Sequence, residues 1–240
     1  MRPDAVHRVL EDEVAAARAR RRGEPPRVLD VGGGTGMWSV PLASAGCLVT
    51  VVEPSPNALA ALHRRAAEAG VAERITAVQG DADALGRLVP EESADLVLGH
   101  GLLEVVDEPA KAVAALRAAT VPGGAISVLV ASRYGTVLHR AVTGHLTEAR
   151  LLLAEPPGPL FDANDLTVLL TAAGLTIEVL QGYGVVAGLV PDSAREDRPG
   201  TADELAALEL AASRLAPLRD VAARLHALAR RPAEQAVLPL

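Results

Sequence analysis

The segment at residues 27–36 limits this chain to very few folds. It runs Arg-Val-Leu-Asp-Val-Gly-Gly-Gly-Thr-Gly, so that an apolar run leads directly into a glycine-rich loop. A short apolar run bounded by glycines is typical of a strand buried on both faces of a parallel sheet. Residues 37–45 are predicted to form a helix whose positive N-terminal end faces the loop. This strand, loop and helix together indicate a nucleotide-type cofactor site.

The spacing of the loop glycines and an acid beside them narrow the choice of cofactor. A dinucleotide-binding loop has the pattern G-x-G-x-x-G and holds a pyrophosphate at the helix N-terminus. Here the glycines repeat at every second position, and Asp30 precedes them. A carboxylate at the strand tip repels a pyrophosphate but suits a ligand with an ammonium or sulfonium group. A nicotinamide-dependent dehydrogenase is therefore the least favoured function. The loop glycines predicted to approach the cofactor are Gly32, Gly33, Gly34 and Gly36.

A second acid lies where a ribose-binding residue is expected. Glu53 ends the next apolar run, residues 48–52, and follows Gly32 by 21 residues. A carboxylate at the end of the second strand accepts hydrogen bonds from ribose hydroxyls. No arginine adjoins Glu53, which disfavours a ribose 2′-phosphate. Asp30, the loop and Glu53 together indicate a nucleotide-type cofactor site more strongly than the glycines alone.

These residues resemble the V-L-D-x-G-x-G-x-G motif of class I S-adenosylmethionine-dependent methyltransferases. Further landmarks follow in the family's order: an apolar run before residues 79–83, a strand at 95–98, and a Pro-Gly-Gly turn at 122–124 before a strand at 125–130. The resemblance implies an α/β fold with a doubly wound, Rossmann-like sheet of seven strands, mostly parallel with an antiparallel last strand. It also implies one domain over residues 1–240 and S-adenosyl-L-methionine as the cofactor.

A narrower likeness points to one branch of this class. Residues 100–109, His-Gly-Leu-Leu-Glu-Val-Val-Asp-Glu-Pro, are similar to a stretch of the bacterial tRNA 5-carboxymethoxyuridine methyltransferases, as are Leu138-His139 and the tail at 224–230. The chain differs from that group at Ala131-Ser132 and in a strand predicted at 182–189, both of which face substrate in the group. One candidate acceptor is therefore the carboxylate of a modified wobble uridine in tRNA. A small-molecule O- or N-methyltransferase and a non-catalytic cofactor-binding protein stay open.

The resemblance also assigns roles to single residues around the cofactor. Asp81 is expected to bind the adenine amino group with the Ala82 amide beside it, and Asp83 either competes for that contact or caps the next helix. His100, at the tip of the fourth strand, is expected to line the cofactor pocket. Arg2, at the start of the first helix, is expected to reach the cofactor carboxylate.

The catalytic residue depends on the acceptor. A carboxylate acceptor is ionised at neutral pH and needs only a cation to orient it, for which Arg133 is the candidate. A phenol or an amine needs a base, for which His139 or His100 is the candidate. Glu104 is interpreted as a carboxylate that caps a helix or ties a loop.

Composition bears on the acceptor and the surroundings. The chain has four aromatic residues of the Phe, Trp and Tyr types and a net charge of −7, which weigh against recognition of unpaired bases by stacking or by a basic surface. Two arginine clusters, at 18–22 and 214–231, are interpreted as a helix C-terminus and a solvated face.

The remaining expectations concern organisation. An N-terminal helix is predicted at 4–22, a substrate-side insertion at about 135–160, a strand at 176–180 and a helix at 202–215. Residues 222–229 are assigned to an antiparallel last strand by the resemblance, although their periodicity alone indicates a helix. Cys47 is predicted to be packed, no metal site is indicated, and the absence of a long apolar stretch predicts a cytoplasmic protein with no membrane partner.

Overall fold

Seven strands form one sheet in the computed structural model, which describes residues 4–154, 158–190 and 200–233. The sheet has the order β3-β2-β1-β4-β5-β7-β6, with β7 antiparallel to both of its neighbours and the other pairings parallel. This topology confirms the predicted doubly wound sheet with an antiparallel last strand. The strands are β1 (Arg27–Val31), β2 (Leu48–Glu53), β3 (Ile75–Gln79), β4 (Ala94–His100), β5 (Thr120–Ala131), β6 (Thr176–Tyr183) and β7 (Arg224–Arg230).

Helices cover both faces of the sheet. Asp4 caps the first of them by accepting hydrogen bonds from the Val6 and His7 amides, and Pro56 opens the third at a position where its missing N–H costs nothing. The described helices are α1 (Ala5–Arg20), α2 (Ser39–Ser44), α3 (Pro56–Glu68), α4 (Leu85–Leu88), α5 (Pro109–Ala119), α6 (Arg133–Val142), α7 (Leu146–Ala154), α8 (Ala163–Ala172) and α9 (Thr201–Ala212).

The core lies in two layers, one on each face of the sheet. On one face α5 and α8 bury Leu116 and Leu166 against β4, β5 and β7. On the other face α1 and α3 bury Leu10 and Leu62 against β1, β2 and the residues of β4 and β5 that point to this face. Each fully buried leucine contributes about 2 kcal/mol relative to an exposed one, so packing of these helices on both faces stabilises the sheet. Cys47 is buried in the second layer, as predicted.

Several predicted boundaries differ from the structure. The helix predicted at 37–45 begins only at Ser39, because the loop glycines keep residues 33–38 in turns. The fifth strand starts at Thr120 and includes the Pro-Gly-Gly segment. The helix predicted at 202–215 is Thr201–Ala212, and the N-terminal helix ends at Arg20.

The region after β5 also departs from expectation. A strand predicted at 182–189 is wrong beyond Tyr183, because Gly184 has a φ of +69° and turns the chain out of the sheet. The insertion at about 135–160 consists of α6 and α7, which pack on each other, and its residues 155–157 lie outside the described part. By contrast β7 is a strand, so the resemblance predicted this segment better than its periodicity did.

Candidate functional site

The sheet brings the predicted cofactor residues to one edge. The strand order reverses between β1 and β4, and ligands of doubly wound sheets bind outside the carboxyl ends of the strands at such a reversal. In the observed register Asp30 of β1 lies between Val51 of β2 and Leu98 of β4. Glu53 and His100 end β2 and β4, so both lie at the same edge as the glycine loop.

The glycine loop has a shape that other residues do not tolerate. Gly32, Gly34 and Gly36 have φ values of +72°, +56° and +79°, a region that L-residues with side chains rarely adopt. Gly33 is different, because a Cβ at that position would lie 2.7 Å from both the Asp30 carboxylate and the Val51 side chain. The four glycines therefore let the backbone pass close above β1 as a cradle with open space beside Gly34, where a ligand can approach the backbone.

Asp30 lies beneath this loop as a buried carboxylate. Its side chain accepts a hydrogen bond from the Ser39 hydroxyl at the start of α2. Burial, with a contribution from the Glu53 charge, raises the pKa of Asp30 to about 6, although the Ser39 hydrogen bond opposes the shift. The ionised form is thus costly without a positive charge nearby, and a cationic ligand at this edge would favour it.

Glu53 joins the end of β2 to the glycine loop. One of its carboxylate oxygens accepts the Gly34 amide at 3.0 Å, and the other accepts the Ser55 amide at 2.9 Å. The residue is 8% exposed. These bonds hold the carboxylate at the sheet edge, and its remaining lone pairs suit the ribose hydroxyls expected there.

The residues expected at the adenine lie beyond β3. Asp81 caps a short 3₁₀ turn at Ala82–Ala84 by accepting the Asp83 amide, and both acids are exposed. Gly80 packs against Leu88, since a Cβ on Gly80 would lie 2.4 Å from the Leu88 side chain. The choice between Asp81 and Asp83 stays a prediction, and Arg2 lies outside the described residues.

His100 is held in a buried chain of hydrogen bonds that the sequence did not reveal. Its Nε2 lies 2.8 Å from the Ser127 hydroxyl of β5, which lies 2.8 Å from His226 Nε2 of β7. His226 Nδ1 in turn lies 3.0 Å from the Gln181 amide nitrogen of β6. Burial lowers the pKa of His100 well below its usual value and that of His226 to about 3, so both rings are neutral. The sequence feature that could have indicated this hydrogen-bond chain is Ser127, a polar residue within the apolar strand β5.

Aromatic rings surround the same strand tip. The Trp38 ring lies between two histidines, at 4.6 Å from His7 of α1 and 4.8 Å from His100, edge-on to the latter. Tyr183 at the end of β6 is hydrogen-bonded to Asp4, and burial together with the Asp4 charge raises its pKa. Helix α1 therefore borders the site through residues that the sequence analysis did not single out.

The residues predicted to act on the acceptor are spread over α6 and its surroundings. The Arg133 guanidinium donates to the Leu153 carbonyl of α7 at 3.1 Å, and His139 is exposed on α6. Glu104 accepts the Ala131 amide at 2.7 Å, so it ties the loop after β4 to the end of β5. Arg224, which sequence reasoning missed for the site, lies beside the β4 tip, 3.9 Å from where a Cβ on Gly101 would be.

Most of the remaining arginines are engaged within the molecule. Arg18 bonds the Ala45 carbonyl and Arg21 pairs with Glu24 and Asp95, in line with a helix C-terminus. Arg230 and Arg231 pair with acids at the opposite edge of the sheet, where β5 begins. Within the described residues, no cluster of potential metal ligands is present. None of the helices in the described ranges is long and apolar enough to cross a membrane.

The fold and this edge are similar to those of class I S-adenosylmethionine-dependent methyltransferase domains. Residues 28–124 match the family described as "Methyltransferase domain". The matched residues include the glycine loop, Glu53 and His100. S-adenosyl-L-methionine is the cofactor of this class, and the open cradle, the buried acid and the ribose-side carboxylate fit it.

Individual relatives agree with this class. The tRNA 5-carboxymethoxyuridine methyltransferase of Escherichia coli K12 is 29% identical over 119 residues, which are 50% of this chain and 45% of that protein. The match thus spans less than half of that relative. An S-adenosylmethionine-dependent methyltransferase from Mesorhizobium loti superposes with a TM-score of 0.61 over 94% of this chain and 97% of its own, at 20% identity. Magnesium protoporphyrin IX methyltransferase from Synechocystis PCC 6803, solved with S-adenosylhomocysteine, gives a TM-score of 0.60 over 93% and 82%, at 16% identity.

Proposed function

We propose that this protein transfers the methyl group of S-adenosylmethionine to an oxygen or nitrogen nucleophile. The observation that carries the proposal is the glycine cradle over a buried Asp30, with the Glu53 carboxylate fixed beside it. The cofactor supplies a methyl group already activated on a sulfonium, so the protein has to position the acceptor and exclude water. Asp30 favours a cationic ligand, Glu53 receives the ribose, and His100 and Trp38 close the wall next to β4.

Calorimetric titration tests the cofactor part of this proposal. We expect S-adenosylmethionine and S-adenosylhomocysteine to bind and NAD not to bind. Glu53→Ala should weaken the binding of both sulfur ligands at least tenfold, because a hydrogen bond to a charged group contributes about 1.5–3 kcal/mol. Glu11→Ala, on the exposed side of α1, is the control and should bind as the unaltered protein does. Absence of binding by both sulfur ligands would overturn the proposal.

The first candidate acceptor is the carboxylate of a 5-carboxymethoxyuridine at the wobble position of tRNA. The similarity to the Escherichia coli enzyme of that name supports it. A carboxylate also suits a site whose neighbouring cation is Arg224. Because a carboxylate is ionised at neutral pH, its methylation needs no base from the protein.

Transfer of a labelled methyl group to tRNA tests this acceptor. We expect tRNA that carries the carboxymethoxy group to gain a methyl ester, which alkali releases, and tRNA without that group to gain no label. Arg224→Gln, which removes the cation beside the β4 tip, should raise KM for the tRNA with the affinity for S-adenosylhomocysteine unchanged. Equal labelling of the two tRNAs would contradict the assignment.

A cavity at the same edge favours a second candidate, a small-molecule acceptor. It has a volume of about 660 Å³ and lies between the start of α1, the end of β6 and one side of α9. Its charged and phenolic lining residues are Asp4, Arg8, Tyr183, Asp203 and Glu209, and alanines and leucines of α9 line much of the rest. This volume is in the range of pockets for small ligands.

Filling this cavity distinguishes the two acceptors. Ala206→Trp places a large side chain in the cavity, whereas Glu204→Trp changes the same helix outside the lining. For a small-molecule acceptor we expect Ala206→Trp alone to abolish methyl transfer while S-adenosylhomocysteine still binds. If both variants methylate tRNA at the original rate, the cavity does not hold the acceptor.

A further inference from the structure

We propose that Gln181, His226 and Ser127 are positioning residues, which fix His100 as a neutral ring with its proton on Nδ1 and thereby present a hydrogen-bond donor at the ligand edge. The inference rests on the proposed function for the identity of the ligand, but the hydrogen-bond chain is a property of the protein itself. The direction of each hydrogen bond follows from which of its two atoms can donate a proton.

The direction of the chain is set at the start of α1. The Ala5 carbonyl is only an acceptor, and the Gln181 amide nitrogen lies 2.9 Å from it. This contact fixes the orientation of the Gln181 amide, because the reverse orientation would place two acceptor oxygens together. The same nitrogen has a second hydrogen, which it donates to His226 Nδ1 at 3.0 Å.

From that point each ring has one tautomer. His226 accepts at Nδ1, so a neutral ring carries its proton on Nε2 and donates it to the Ser127 hydroxyl oxygen. Among the described residues the Ser127 hydroxyl has one other partner, His100 Nε2, so its own proton is satisfied only by donation to that nitrogen. His100 therefore carries its proton on Nδ1. The chain runs through four elements, α1, β6, β7 and β5, before it reaches the tip of β4.

The far end of the chain is an unsatisfied donor. His100 Nδ1 is buried and has no hydrogen-bond partner among the described residues. The ring is held from the sides by the edge-on contact with Trp38 and by His226, whose ring lies 6.0 Å away and nearly perpendicular. A buried donor without a partner is unfavourable, and a ligand oxygen at the strand tip would remove that cost.

The alternative to a positioning role is simple core filling. All three relay residues are buried, so loss of packing alone would destabilise the protein. The test therefore needs two variants of equal shape. At Ser127, threonine keeps the hydroxyl and valine has the same outline without it, so that both carry the same steric cost.

Nitrogen NMR of the histidine rings reads the tautomer in the ligand-free protein, with His100→Phe used to assign the His100 signals. We expect Nδ1 protonation of His100 in the unaltered protein and in Ser127→Thr. In Ser127→Val we expect protonated Nε2 to gain a substantial share, because nothing donates to that nitrogen any longer. Nε2 protonation in the unaltered protein, or identical spectra for the two variants, would overturn the relay.

Calorimetry with S-adenosylhomocysteine gives the second readout. We expect Ser127→Val to bind about tenfold more weakly than Ser127→Thr, which is the effect of one hydrogen bond. Equal affinities for the two variants would contradict the positioning role. If the unaltered protein does not bind this ligand, the proposed function fails, while the NMR result still decides whether the relay exists.

Discussion

Asp30 is the residue at which stability and ligand binding are most directly opposed. Its pKa is raised from 3.8 to about 6, chiefly by burial. Between these pH values the folded protein holds a proton that the unfolded chain has released, so the free energy of unfolding falls as the pH rises. A shift of this size corresponds to about 3 kcal/mol. The residue that favours a cationic ligand therefore lowers the stability of the free protein at neutral pH.

We predict that Asp30→Asn raises the free energy of unfolding at pH 8 by about 1–3 kcal/mol. The gain should shrink toward pH 4, where the native aspartate is itself protonated. Urea unfolding at pH 4, 6 and 8 measures it, and Asp107→Asn, an exposed carboxylate, is the control that should change little. The same substitution should weaken the binding of S-adenosylmethionine. A destabilisation that is equal at all three pH values would contradict the argument.

Gly36 shows a second constraint at the residue scale. It combines a φ of +79° with close packing, because an added Cβ would lie 2.3 Å from the Leu62 side chain of α3. Gly70 has a similar φ of +69° but nothing within 4 Å of an added Cβ. Substitutions at these two glycines therefore distinguish the cost of backbone strain, which both have, from the cost of overpacking, which only Gly36 has.

We predict that Gly70→Ala costs about 1 kcal/mol from strain alone and that Gly36→Ala costs about 1–3 kcal/mol more from overpacking against α3. Chemical denaturation of both variants measures the difference. Gly36→Ala should also lose affinity for S-adenosylhomocysteine, whereas Gly70→Ala should not. Equal losses of stability would show that Leu62 moves aside at no cost.

At the scale of elements, a buried carboxylate ties α1 to the sheet. Glu13 of α1 accepts hydrogen bonds from Arg20 at 2.6 Å and from both terminal nitrogens of Arg230 in β7. Arg230 also pairs with Glu178 of β6. The two carboxylates raise the pKa of Arg230. This cluster lies at the opposite edge from the ligand, so it holds α1 over the sheet without occupying the site.

We predict that Glu13→Ala lowers the free energy of unfolding by about 1–3 kcal/mol, because Arg20 and Arg230 lose the buried carboxylate that they share and Arg230 keeps only Glu178. Glu11→Ala, on the exposed face of the same helix, should change it by less than about 0.5 kcal/mol. Thermal and urea unfolding of both variants measure the contrast. If the two losses are the same, the cluster does not anchor α1.

Periodicity and resemblance predicted different elements well. The strands that are buried on both faces were recognisable because their apolar runs leave few other structures possible. β7 was not recognisable by periodicity, since alternating Leu, Ala and His in Arg224–Arg230 suit a helix equally well. Its strand character comes from pairing with β5 and β6, which neighbours in space impose and the local sequence does not.

At the scale of the whole molecule, charge and its distribution bear on the acceptor. The net charge is −7, and Arg20, Arg230 and Arg231 are held in ion pairs at the edge away from the cofactor residues. Arg224 lies at the ligand edge at the start of β7, and Arg133 lies at the start of α6. Arg219 lies in a 3₁₀ turn and pairs with Asp220. Part of the positive charge of the described residues is therefore held in ion pairs away from a tRNA acceptor at this edge.

We predict a weak salt dependence for the binding of a tRNA anticodon stem-loop, with a slope of log K against log salt shallower than about −4. Fluorescence anisotropy over a range of potassium chloride measures it. Arg224→Gln should make the slope shallower by about one phosphate contact, whereas Arg64→Gln, exposed on α3, should leave it unchanged. A slope of about −6 or steeper would show a basic surface that the ion pairs do not suggest.

The sequence by itself determined the strand, glycine loop and helix at 27–45, the two acids Asp30 and Glu53, and through them the class of cofactor. Those features are local, because the backbone freedom of glycine and the strand preference of an apolar run are set by residues adjacent in the chain. Only the tertiary structure decided the rest of the site: His100, Ser127, His226 and Gln181 lie up to 126 positions apart in sequence, and a single chain of hydrogen bonds joins them. Strand pairing creates such contacts, and no local pattern of residue types encodes which strands will be neighbours.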